Sequence, residues 1–304
     1  MTAAPAATPT SLWPGLAFAI VGAIAFSGKA IIVKLSYRYG GGADAITVIM
    51  LRMLFALPLF VLMAWWAGRD RPPMRGRDLA GVIVLGMLGY WLSSTLDFIG
   101  LQDITASLNR LIQYLTPTMV LVLGWLLYGK RFTRLQVVAM GISYCGVLLV
   151  FGREIGDFGP NVVRGAALVF ASSLTYAVYL VYSGQLVQRI GSMRLVGWAT
   201  SVACICCIAQ FLVLRPVQQA IELPAPVLWL GALNAVVCTA VPVLLVMMAV
   251  ERLGPALTSQ TGMIGPLSTI AMGALLLGEP FTGWVAVGTV LCVAGIWTFT
   301  RAGR

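Results

Sequence analysis

Two octapeptides, "LLYGKRFT" (residues 126–133) and "LLLGEPFT" (residues 275–282), share an apolar frame and differ in charge. Lys130 and Arg131 of the first stand where Glu279 and Pro280 stand in the second. The offset is 149 residues, and it extends well beyond the octapeptides. Pro117 falls on Pro266, Phe132 on Phe281, Thr133 on Thr282 and Gly146 on Gly295. Near the front, Gly15 falls on Gly165 at an offset of 150. Such a register is that of a duplicated unit half a chain long.

The composition says what kind of unit it is. Of 304 residues, 60% are hydrophobic and 10% charged, against roughly a quarter charged in soluble domains. Too little polar surface is available to cover a water-soluble fold, so the class is an integral membrane protein. The net charge of +10 is scattered singly between apolar runs and forms no basic patch, which excludes nucleic acid as a partner. A membrane-crossing helix needs about 20 mainly apolar residues. Ten runs meet that length approximately: 14–35, 45–67, 79–100, 104–127, 134–151, 163–184, 194–213, 226–249, 255–277 and 282–300. No run alternates in the manner of barrel strands. The residues before Trp13 carry no Lys or Arg, so the first run reads as a retained span rather than a signal peptide.

Each copy of the repeat holds five runs, an odd number, so the second copy enters the membrane inverted. The expected fold is all-α, with ten transmembrane helices in two inverted five-helix repeats (1–155 and 156–304) around a central cavity. Basic residues set the orientation. With both termini cytoplasmic, the cytoplasmic gaps collect Arg69, Arg71, Arg75, Arg77, Lys130, Arg131, Arg134, Arg189, Arg194 and Arg252, with Arg301 and Arg304 at the tail. Only Asp70, Asp78 and Glu251 oppose them there. The sign change between the octapeptides follows, because the first ends the fourth span inside and the second ends the ninth outside.

With these features the chain resembles the drug/metabolite transporter superfamily, EamA type. The resemblance covers essentially the whole chain and is carried by "GPLSTIAMGALLLGEPFT" (265–282). The first copy departs from the signature, with Lys130 where the family usually has Glu. The stretch "LDFIGLQDITASLNRLIQYLTPTMV" (96–120) is closest in sense to bacterial aromatic amino acid exporters. The resemblance implies a bacterial inner-membrane exporter of small metabolites, in particular neutral or aromatic amino acids, working by alternating access. A sugar-phosphate, nucleotide-sugar or quaternary-amine carrier of the same fold is the alternative.

Charges inside spans are costly and usually face a bundle interior or a wet cavity. Lys29, Arg52, Asp97 and Arg110 are such charges. Asp97 and Arg110 flank a helical hairpin at similar depth, and the expectation is that they pair, with Lys29 or Arg52 joining them. Arg52 reads rather as structural or snorkelling outward. Helical spacing aligns Tyr90, Ser94 and Asp97 on one face, Arg110, Gln113 and Pro117 on another, and Ser172, Tyr176, Tyr179 and Ser183 on a third. Asn234 and Gln260 are polar positions in the eighth and ninth runs. The candidate substrate-binding set is therefore Lys29, Tyr90, Ser94, Asp97, Arg110, Gln113, Tyr176, Tyr179, Asn234 and Gln260. Pro117 and Pro266 are candidate hinges.

The chain has no His, which excludes His-based proton relays and Ser-His-Asp catalysis. Its six Cys lie in apolar runs and read as packing residues. No enzyme activity, metal or cofactor is expected. The expected partners are a small-molecule substrate and the lipid bilayer. The sequence names no oligomeric state, and a monomer is compatible with it.

Overall fold

The computed structural model describes residues 13–41, 43–129, 133–262 and 264–302. Lys130, Arg131 and Phe132 of the first octapeptide, and Arg304 of the tail, lie outside the described residues. Every regular element among the described residues is helical. In chain order they are α1 (Trp13–Tyr39), α2 (Ala45–Gly68), α3 (Gly76–Gly100), α4 (Ala106–Tyr128), α5 (Arg134–Phe158), α6 (Asn161–Ile190) and α7 (Ser192–Leu214). A one-turn helix, Gln218–Ile221, precedes α8. That helix runs from Ala225–Ala235 through a π-helical turn, Val236–Ala240, into Val241–Thr261. The last two are α9 (Ile264–Leu277) and α10 (Gly283–Ala302). Among the described residues, eight helices are long and apolar enough to cross a bilayer, and Ile264–Leu277 and Gly283–Thr298 are shorter apolar helices. The chain is thus a multi-pass, all-helical membrane protein.

Local chemistry sets several helix ends. Asp44 caps α2 by accepting the Thr47 N–H at 3.1 Å. Thr133 and Gln136 form a capping box at the start of α5, with bonds of 3.2 and 2.9 Å, satisfying otherwise unpaired N–H groups. Helix α4 ends on Gly129 and α9 on Gly278, with φ of 64° and 69°, the left-handed cap that glycine adopts without strain. These two caps are the matching glycines of the two octapeptides.

Other features recur at the same spacing. A π-helical turn begins at Met87 within α3 and another at Val236 within α8. Helix α4 is interrupted between Gln113 and Thr116, with Pro117 in the first turn of the new segment. Helix α9 starts at Ile264, with Pro266 in its first turn. Each proline thus opens a helical segment, where its missing N–H costs nothing, rather than bending a continuous helix. The expected gap between the eighth and ninth runs, at 250–254, is corrected here. Helical hydrogen bonding continues through those residues to Thr261, and a turn follows at Gly262, just ahead of Pro266.

Water does not drive helices together in lipid, so close approach of backbones matters more. Helix α5 packs on α10, α2 on α7, α1 on α8 and α9, and α6 on α3 and α4. At the α5–α10 contact a Cβ on Gly288 would lie 2.7 Å from the Gly146 carbonyl oxygen. Only glycine allows that approach.

Candidate functional site

The bundle encloses a cavity of about 870 Å³. It runs from Asp97 at its floor to Tyr128 at the end of α4, between α1, α2, α3, α4, α6, α7 and α8. Among the described residues, four charged side chains line it: Lys29, Arg52 and Arg110 against Asp97.

Asp97 sits near the end of α3 and is 2% exposed. Its Oδ2 accepts the Lys29 ammonium of α1 at 2.8 Å. Its Oδ1 accepts the side-chain amides of Asn109 and Gln113, each at 2.7 Å. Asn109 and Gln113 are one turn apart on α4, so both reach the same face of α3. This corrects the expected Asp97–Arg110 pair. Arg110 follows Asn109 by one residue and is turned about 100° around the helix. Its guanidinium lies instead over the rings of Tyr114 and Phe26, at 5.2 and 5.6 Å.

Arg52 does not snorkel outward, which is a second correction. It is 4% exposed, donates to Ser94 Oγ at 3.1 Å and stacks over Phe98 at 4.7 Å. Its place on α2 faces the bundle because α2 is held there by α7. The charge stands out in the sequence, but its burial depends on the neighbouring helix.

The remaining candidates divide. Tyr90, Ser94, Gln113, Tyr176 and Pro117 line the cavity. Tyr179 lies behind them: its ring stacks on Tyr176 with centroids 5.6 Å apart, and its hydroxyl is 3.3 Å from that of Tyr90. Asn234 is 1% exposed but away from the cavity lining. The side chain of Gln260 lies outside the described residues. Pro266 is buried outside the cavity wall.

A further group closes the end of the bundle beyond the floor. Helix α4 starts there, and each of its first free N–H groups has a partner. Glu154 of α5 accepts from the Thr105 N–H at 3.2 Å and also from the Thr105 hydroxyl. Glu279 accepts from the Ala106 N–H at 2.7 Å and the Ser107 N–H at 3.4 Å. Thr105 Oγ1 accepts from the Leu108 N–H at 3.0 Å. Two carboxylates at a helix N-terminus are favourably placed against its dipole. Glu279, read from the sequence as a marker of a helix end and of sidedness, is thus also a long-range cap. Its signal was the reversal of charge between the two octapeptides, Lys130 in the first against Glu279 in the second.

The EamA-like transporter family model matches residues 13–152 and again 163–301. The chain belongs to the EamA-like transporter family. This EamA-like chain is 31% identical over 276 residues to the uncharacterized transporter YcbK of Bacillus subtilis, covering 87% of this chain and 86% of that one. It is 23% identical over 249 residues to the protein PecM of Dickeya dadantii, covering 80% of each. A solved crystal structure shares the fold, with a TM-score of 0.63 and 18% identity over 97% of this chain and 99% of that one. Family and relatives describe transporters rather than enzymes.

Proposed function

We propose that this EamA-like transporter moves small organic metabolites by alternating access, and that neutral and aromatic amino acids are its exported cargo. The observation that carries the reading is the cavity itself: polar charges and tyrosine rings gathered inside a helical membrane bundle, where charge is otherwise avoided. Arg52 and Arg110 suit a carboxylate, and the Tyr90 and Tyr176 rings suit an apolar or aromatic body. The inner membrane is the proposed site, ten spans in two inverted repeats the proposed architecture, and a monomer the working unit. Recurrence at 149 residues supports the repeat: π turns at Met87 and Val236, glycine caps at Gly129 and Gly278, and a family model that matches twice. With both termini cytoplasmic, the Tyr128 end of the cavity faces the cytoplasm and the Glu279 cap closes the outer end.

A sugar-phosphate or nucleotide-sugar carrier is the second reading, favoured by three cations against one carboxylate on the wall. Counterflow in liposomes holding the purified protein decides between them, with amino acids, sugar phosphates and quaternary amines offered with and without a pH gradient. Exchange of neutral or aromatic amino acids is expected. Exchange of sugar phosphates alone would replace the first reading by the second.

A further inference from the structure

We infer that the cavity selects its substrate by an acid group, a carboxylate or a phosphate, taken by the guanidiniums of Arg52 and Arg110, and that it requires no amine. The inference deepens the proposed transport and rests on it only for the claim that the bound molecule moves.

The wall offers a substrate ammonium little. Among the described residues, Asp97 is its one carboxylate. A carboxylate has about four lone-pair sites, and three of those of Asp97 already accept Lys29, Asn109 and Gln113. An incoming ammonium would have to share that single carboxylate with Lys29, leaving two cations on one anion in the membrane interior.

The wall offers an acid much more. Among the described residues, no carboxylate lies within 4.0 Å of Arg52 or Arg110 in an ion pair. The Nε atoms of both are buried without a hydrogen-bond partner. Arg52 spends one bond on Ser94 and a long contact of 4.0 Å on Met53 Sδ. A guanidinium carries five donors in a planar fork that matches carboxylate and phosphate oxygens two at a time. The wall therefore holds a surplus of two positive charges with donors unspent, in surroundings where an unpaired charge is costly. A bound acid supplies both the charge and the acceptors. The body of the acid would lie against Tyr90 and Tyr176.

The test uses the full-length protein in detergent and in liposomes, with four probes sharing a phenyl body: phenylpropionate, phenyl phosphate, phenylalanine and phenethylamine. Binding is read by thermal shift and by tryptophan fluorescence, transport by counterflow. The acids are expected to bind at least as tightly as phenylalanine, and phenethylamine not to bind. The first two probes distinguish a carboxylate site from a phosphate site. Arg52→Gln and Arg110→Gln should each weaken acid binding roughly tenfold or more. Where a Gln variant does not fold, Arg52→Lys or Arg110→Lys keeps the charge and loses the fork, and should still weaken binding measurably. Binding of phenethylamine equal to that of the acids overturns the inference, as does failure of both acids to bind, or acid binding unchanged in folded variants. Counterflow of phenylalanine without acid binding overturns it and leaves transport standing. Acid binding without counterflow of any probe leaves the acid site standing and removes the transport reading.

Discussion

Glu279 accepts the backbone N–H of Ala106 at 2.7 Å across a separation of 173 residues. A side chain just past the end of α9 thereby supplies the cap of α4, a helix of the other half of the chain. The contact also ties the start of α4 to the segment after α9, since Ser107 donates to the same carboxylate through its hydroxyl at 3.2 Å. An access cycle that opens this end must break these bonds.

Replacing Glu279 by Ala leaves two N–H groups without their acceptor, at a cost of about 1–3 kcal/mol each where buried. The closed end should then open more often. Val150 is 1% exposed and lines the small cleft beside Glu279. In a background with the native cysteines replaced, Val150→Cys should react faster with a membrane-impermeant maleimide when Glu279→Ala is added. Equal labelling rates would show that the cap does not hold this end shut.

The Lys29–Asp97 pair joins α1 to α3 across 68 residues. Asp97→Asn or Lys29→Met alone strands a buried charge, and each should destabilise the protein by about 3–5 kcal/mol. The double variant removes both charges and should recover most of the loss in thermal unfolding in detergent. If the two losses simply add, the pair is not the source of the stability.

Asp44 joins α2 to the end of α7, accepting from Arg215 Nε at 2.8 Å. Burial pushes its carboxyl up, but hydrogen bonds from Thr47 and Arg215 outweigh that and hold it below the usual carboxylate range. A carboxyl depressed in the folded state contributes stability at pH above its unfolded value of about 3.9. That contribution is lost as pH falls through the lower folded value. Asp44→Asn should therefore be less stable than the parent at pH 7, with the difference shrinking below about pH 4. A pH series of melting temperatures checks this, and a gap independent of pH would assign the effect to the cap alone.

Gly288 touches the Gly146 backbone, whereas nothing lies within 4 Å of a Cβ built on Gly141 in the same helix α5. Gly288→Val should force α5 and α10 apart and cost about 1–3 kcal/mol. Gly141→Ala should be neutral or stabilising by up to about 1 kcal/mol. Melting temperatures of the two variants separate close packing from glycine content.

Much of this was legible from the sequence. The membrane class, the apolar runs and the offset between "LLYGKRFT" and "LLLGEPFT" are properties of neighbouring residues or of one chain laid over itself. They need no knowledge of what touches what. The intramembrane charges were visible for the same reason: a Lys or Asp in an apolar run stands out wherever it points. Tyr90, Ser94 and Asp97 could be set on one face because helical period alone relates them.

Only the tertiary structure decided which charge met which. Asn109 and Gln113 face Asp97 and Arg110 does not, through a rotation of one residue about α4. Arg52 lies in the bundle because of how α2 packs, and Glu279 caps α4 because two distant helix ends meet. The Asp97–Lys29 pair, the Glu279 cap and the two guanidiniums without acids each depend on contacts between residues far apart in the chain. Local sequence fixes a helix and its period, but the angle at which one helix meets another is set by packing over the whole bundle.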